Sequence, residues 1–361
     1  MNSEITAARV ANARQKIAEA KIPALLISQI DNVRWLTGFT GSSGYVLLTE
    51  DVALFATDSR YTSQAANECH GFELKLLETS APEEIMSILA DAEKPSIGFE
   101  ANAIFYSLYQ SYREKLDSKI ELTPVKRLID DLRMVKDQSE IDLIQEACRI
   151  ADRVFDYIVP QVKPGVTERD LMLELEWHIR KDCGAEVAFD TIVASGPRSA
   201  LPHGKAADRV LTKGDFVTFD FGAKIQGYCS DITRTVLLGE ATDEQLKVYQ
   251  TVLDAECKTI DGLIPGANGK DVDAIARNYI KEAGYGDYFG HGAGHSLGRA
   301  VHDGPGLSVR SEVIFAPGMV MTVEPGIYIP DWGGVRIEDD VLVTDDGPKV
   351  LTHSPKRLMC L

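Results

Sequence analysis

The pattern of apolar and polar positions changes character near residue 130. Upstream, a polar helical stretch near 5–20 leads into the apolar run Ala24-Leu25-Leu26-Ile27, whose length suits a buried strand. Asn32–Phe39 follows, then a Gly/Ser turn at Gly41-Ser42-Ser43-Gly44. The apolar runs Tyr45–Leu48 and Val52–Ala56, separated by Thr49-Glu50-Asp51, predict a hairpin. Short strands are predicted at Glu73–Leu77 and Ser96–Phe99, with helices between them. Residues 1–130 therefore read as one α/β unit, with a boundary at Asp130-Asp131.

Beyond the boundary the period lengthens. Ile141, Ile144, Ala147, Cys148 and Ala151 form one helical stripe, with Ser139 placed to cap the helix and Asp142 at its third position. Two further helices form a repeat. Pro164-Gly165 opens one that carries Asp170, Leu171, Leu175 and Ile179. Pro265-Gly266, 101 residues later, opens another that carries Asp271, Val272, Ala276 and Ile280. Both run into Gly-containing turns and then into strand-rich sequence, as a duplication would.

The strand-rich halves share a frame. Gly214-Asp215-Phe216-Val217-Thr218-Phe219-Asp220 and Gly318-Met319-Val320-Met321-Thr322-Val323-Glu324 both read G-x-[FV]-x-T-x-acid. Period-two alternation puts Thr218 with Asp220, and Thr322 with Glu324, on one strand face. Each acid is followed by turn residues and a second strand with another acid, Asp231 in the first copy and Glu338 in the second. Four carboxylates on apolar inner strands are costly without compensating cations. The flanking strands offer only Arg234 and Arg336. Bound metal resolves that deficit better than four separate ion pairs.

Composition narrows the classes. A length of 361 residues suggests about two domains, and 44% hydrophobic with 26% charged residues is ordinary globular chemistry. The net charge of −17 argues against nucleic acid or an anionic membrane as partner. The N-terminal stretch lacks the apolar core of a signal peptide, and no apolar run is long enough to span a bilayer. Six scattered cysteines without a C-x-x-C pair suit reduced thiols in the cytoplasm. Cys229, two residues before Asp231, reads as packing.

Four of the seven histidines add to the acid set. His291 and His295 lie in a glycine-rich run, His302 follows, and His203 sits in Ala200-Leu201-Pro202-His203-Gly204. His70, His178 and His353 lack such context and read as structural. Asp220, Asp231, His295, Glu324 and Glu338 form a ligand set for two hard or borderline divalent ions: manganese, cobalt or zinc. Two such ions about 3.5–4 Å apart can share a hydroxide and polarise a carbonyl, which is hydrolytic equipment.

These residues carry a family resemblance. The stretch from His291 through His295 and His302 to Asp303 resembles the proline-peptidase signature of the pita-bread metallopeptidases. That family includes methionine aminopeptidase, aminopeptidase P, prolidase and the metal-free creatinase. The first unit resembles the creatinase/prolidase N-terminal domain, so the likeness covers nearly the whole chain.

The resemblance implies an α/β chain: a creatinase/prolidase-type domain over 1–130 and a pseudo-twofold α+β pita-bread catalytic domain over 131–361. It implies that Asp231 and Glu338 bridge both ions. It further implies that Glu324 accepts a proton as a metal-bound hydroxide attacks, and that His203, His291 and His302 handle substrate and protons. Arg336 matches an arginine that proline-specific members keep near the site. The implied activity is an Xaa-Pro peptidase of the aminopeptidase P kind, cleaving peptides with proline at the second position. The alternatives are prolidase, restricted to dipeptides, and a pita-bread protein that is not a peptidase. A homodimer is implied as well. Some aminopeptidases P carry an acid just before the aromatic-x-Thr-Gly-Phe stretch, where this sequence has Asn32 with Asp31 beside it.

Overall fold

The apolar run Ala24–Ile27 becomes an inner strand of a six-stranded sheet. The computed structural model describes residues 3–78, 81–91, 94–116 and 120–361. The chain divides into two units, Met1–Arg133 and Met134–Leu361. In the first, the strands lie in the spatial order Glu73–Leu77, Ala53–Asp58, Tyr45–Thr49, Ala24–Ile27, Ser96–Glu100, Glu121–Val125. Tyr45–Thr49 runs antiparallel to both neighbours, and the other pairings are parallel. The predicted hairpin is present, with Val46 opposite Phe55. Leu25 and Ile27 pack into one apolar cluster and Ala24 and Leu26 into another, so the sheet is covered on both faces.

Residues 30–39 resolve into a helix, Ile30–Thr37, closed by Gly38 at φ 81° in the left-handed region that glycine tolerates. Asn32, inside that helix, is fully buried. Its amide nitrogen donates to Glu100 and its oxygen accepts from Arg133, both at 2.5 Å. Glu100 also accepts the backbone N–H groups of Ser28 and Gln29 at 2.7 Å. Asn32 is thus committed to an internal network. Asp31 lies 3.6 Å from Arg34.

The second unit starts its long helix at Gln138, one residue before the predicted cap Ser139. The cap is Asp137, which forms a capping box with Glu140. The Ser139 hydroxyl donates to Asp137 instead of to the helix end. Of the predicted stripe, Ile144, Ala147, Cys148 and Ala151 are buried on one face, and Ile141 is partly buried.

The repeat is present in the backbone. Thr167 caps the helix Glu168–Trp177, and Asn268 caps Gly269–Glu282. Gly165 and Gly266 take φ of 94° and 84° in equivalent turns. Their N–H groups donate to Leu211 and Phe315 at 3.2 and 2.8 Å. Each half carries a three-stranded sheet, but the centres differ. Phe216–Phe221 is central in the first, between Ile192–Ser195 and Ile232–Leu237. Asp339–Thr344 is central in the second, between Val320–Val323 and Gly347–Val350. A backbone bridge between Thr233 and Glu338 joins the two halves.

Candidate active site

That bridge is where the acids meet. Asp220 is the fifth residue of Phe216–Phe221 and pairs in register with Thr233. Gly222 follows, and a Cβ there would collide with the Ser230 carbonyl. This close approach folds the intervening hairpin back so that Asp231 returns beside Asp220. Glu324 directly follows Val320–Val323, and Glu338 directly precedes Asp339–Thr344. Val323 pairs with Asp339, so the two glutamates flank the same end of that strand pair, where the Glu324 charge is among those that raise the Glu338 carboxyl. His295 is fastened to the same strand: its N–H donates to Thr322 Oγ1 at 3.0 Å, and its carbonyl accepts from the Thr322 N–H at 2.8 Å. A Cβ on Gly294 would strike the Thr322 carbonyl, so only glycine permits that approach.

Carboxylate oxygens of Asp231 and Glu338 and a ring nitrogen of His295 lie within 4.8 Å of one another. His295 Nε2 is 3.5 Å from both Asp231 Oδ2 and Glu324 Oε1. Of the two arginines on the flanking strands, only Arg336 serves these acids, with Nη2 2.5 Å from Asp220 Oδ2. Arg234 turns away, pairs with Asp339 at 2.6 Å and donates to the Glu338 backbone carbonyl. Asp231 Oδ1 and Glu338 Oε1 are buried without a hydrogen-bond partner.

The electrostatics record the same deficit. Burial first, and the neighbouring carboxylates next, hold Asp231 and Glu338 well above the usual carboxylate range. Asp220 is also raised by burial, despite Arg336. Orphaned carboxylate oxygens converging with an imidazole are a donor set that divalent cations satisfy. The residues present fit metal.

Three more histidines share the cavity, whose volume is about 420 Å³. The His302 ring lies 4.0 Å from that of His295, tilted by 43°. His203 sits exposed on a turn, and both it and Arg336 line the same cavity. His291 Nδ1 is 2.7 Å from the Gly292 carbonyl, and Nε2 is 2.9 Å from the Tyr328 hydroxyl. A carbonyl only accepts, so Nδ1 carries the proton and Nε2 accepts from Tyr328. Tyr328 in turn accepts from Arg336 Nη1 at 2.9 Å. Burial pushes the Tyr328 hydroxyl up to about 12 and lowers His291, so this tautomer persists.

All nine predicted residues thus line one cavity: His203, Asp220, Asp231, His291, His295, His302, Glu324, Arg336 and Glu338. Tyr328 was missed, because a tyrosine in an apolar strand carries no motif. The only trace is Gly326, where a side chain would occupy the space of the Tyr328 hydroxyl. The histidines read as structural lie elsewhere; His178 stacks on Tyr157 at 3.9 Å. Cys229 packs with Cys148 in an apolar cluster.

Comparison with known proteins agrees with this geometry. Residues 142–345 match the model of metallopeptidase family M24, and residues 9–135 match the creatinase/prolidase N-terminal domain. The Xaa-Pro dipeptidase of Pyrococcus furiosus is 38% identical over 94% of this chain and 96% of its own. The structure of an Xaa-Pro dipeptidase from Bacillus anthracis superposes with a TM-score of 0.95 at 43% identity, covering 99% of this chain and all of the other. An X-Pro aminopeptidase from Thermotoga maritima gives a TM-score of 0.89 at 38% identity, covering 98% and 99%. An acid-rich cavity built by a duplicated strand frame, on a chain matched along nearly its whole length, leaves one assignment: the protein is a metallopeptidase of family M24 with a creatinase/prolidase-type N-terminal domain.

Proposed function

We propose that this enzyme hydrolyses the bond between an N-terminal residue and a following proline, with Xaa-Pro dipeptides as its main substrates. The reading is carried by Asp231 and Glu338, each with a buried oxygen that lacks a hydrogen-bond partner, lining one cavity with four histidines. Asp220, Asp231, His295, Glu324 and Glu338 would hold two divalent ions, and manganese, cobalt and zinc all suit such donors. Ions at that position supply a nucleophile at neutral pH and polarise a carbonyl.

The side chains account for the rest. Glu324, whose Oε1 is 3.5 Å from His295, keeps 18% of its side chain exposed and takes the proton of the attacking water. His302 and His203 stand at the open edge, where an N–H can meet the oxygen on which charge develops. His291 spends its N–H on Gly292 and its lone pair on Tyr328, so it serves the substrate through its ring face. Arg336, held by Asp220 and Tyr328, borders the place for proline. Phe189, Ile192, Val301 and Leu307 give a pyrrolidine ring a dry wall.

The signature alone suggested action on longer peptides, as in aminopeptidase P. The P. furiosus and B. anthracis relatives are Xaa-Pro dipeptidases and move the balance to dipeptides. The T. maritima X-Pro aminopeptidase supports the longer-peptide reading as the second one. Manganese-loaded enzyme should cleave Ala-Pro at least about tenfold faster in kcat/KM than Ala-Pro-Ala, a difference of about 1.4 kcal/mol. The reverse preference would favour the second reading. Six free cysteines support a reducing, cytoplasmic setting, and the −17 net charge a role away from nucleic acid and membrane. No helix among the described residues is long and apolar enough to cross a bilayer. The family likeness supports a homodimer.

A further inference from the structure

A buried ion pair lies behind His302, and the chemistry above makes no use of it. Lys136 Nζ stands 3.7 Å from Asp303 Oδ2, and both side chains are 1% exposed. Asp303 is the residue after His302. At that separation charge, not a hydrogen bond, joins the two. Lys136 Nζ also donates to the Met134 carbonyl at 3.2 Å. The chain makes room for the pair: a Cβ on Gly298 would collide with Asp303 Oδ2 and come within 3.1 Å of Lys136 Cε. The Lys136 backbone is fixed too, since its N–H donates to the Gly318 carbonyl at 2.9 Å.

A second tie runs in parallel. Glu140 Oε1 accepts from the Tyr228 hydroxyl at 2.8 Å, and the Arg299 guanidinium lies 5.0 Å from the Tyr228 ring centre. The first tie begins just before the helix Gln138–Ile158 and the second in its first turn, and both end on the 298–303 segment.

His302 needs such fastening. Its ring touches His295 and makes no hydrogen bond among the described residues, so its direction depends on its backbone. Burying two charges costs desolvation that an apolar pair would avoid. A charged pair next to this histidine therefore points to a geometric purpose. We infer that Lys136 is a positioning residue for His302: through Asp303 it fixes where that imidazole stands over His295. The inference rests on the reading of His302 as a substrate-facing histidine.

Two measurements on the full chain test it. In the zinc-loaded protein, the His302 ring resonance is identified by its absence from His302→Ala. In Lys136→Met that resonance shifts, while those of His70, His178 and His353 stay in place. In the manganese-loaded enzyme acting on Ala-Pro, Lys136→Met lowers kcat/KM by about tenfold or more at unchanged metal content, as misplacement of a reacting group does. Added to His302→Ala, it costs less than about a further twofold, because the two act as one unit. An unmoved His302 resonance, or equal losses in both backgrounds, overturns the inference. If Lys136→Met does not fold, Asp303→Asn is taken through the same two measurements with the same expectations. A wild-type enzyme silent on Ala-Pro would defeat the proposed function, while the resonance measurement would still decide the role of Lys136.

Discussion

Single residues carry the clearest consequences. Asp231 and Glu338 each present a buried oxygen with no hydrogen-bond partner, as the proposed cation ligands would. Asp231→Asn or Glu338→Gln should abolish peptidase activity and lower bound metal, read by elemental analysis beside turnover. Either variant keeping full metal and near-normal turnover would remove these residues from the ligand set. His291 makes a different point about charge. Burial lowers its pKa, so the folded protein keeps it neutral where the unfolded chain, titrating near 6.5, takes up a proton. Below that pH the unfolded state binds more protons, and His291 withdraws stability as pH falls. In metal-free protein, His291→Gln should lose less thermal stability than wild type between about pH 7.5 and 5.5, since glutamine takes up no proton there. Parallel melting curves across that range would show that His291 is not held neutral.

At the scale of elements, the helix Gln138–Ile158 shows how caps outrank first impressions. Asp137 and Glu140 satisfy the helix start reciprocally, so Asp137→Ala should cost about 1 kcal/mol, measured by chemical denaturation. Ser139→Ala, off the cap, should cost little; equal costs would reassign it. The acid frame was legible because strand alternation, a preceding glycine and a terminal acid recur in both halves, and because unpaired carboxylates have a physical cost that shows in residue counts. The strand Glu121–Val125 was not legible, since Pro124 reads as a breaker; at the sheet edge it forgoes only a ladder donor. The exchange of central strand between the halves was hidden as well, because it depends on which strand adds the third partner, not on the repeat itself. Tyr328 and the Lys136–Asp303 pair escaped for a related reason: each acts through long-range contacts that no spacing encodes.

At the scale of the molecule, duplication places two acid-bearing strand pairs at one bridge, and the loop carrying His291, His295 and His302 completes the cavity above them. That cavity, about 420 Å³, is mixed in polarity, with Phe189, Ile192, Val301 and Leu307 among its lining, which suits a short substrate with a rigid ring. The proposed ligand set alone would allow any aminopeptidase; the Xaa-Pro dipeptidase relatives argue for proline. The most direct test compares kcat/KM of metal-loaded enzyme on Ala-Pro and on Ala-Ala. The account predicts at least about a tenfold advantage for Ala-Pro, about 1.4 kcal/mol. Comparable rates on the two would leave a metallopeptidase and contradict its assignment to Xaa-Pro bonds.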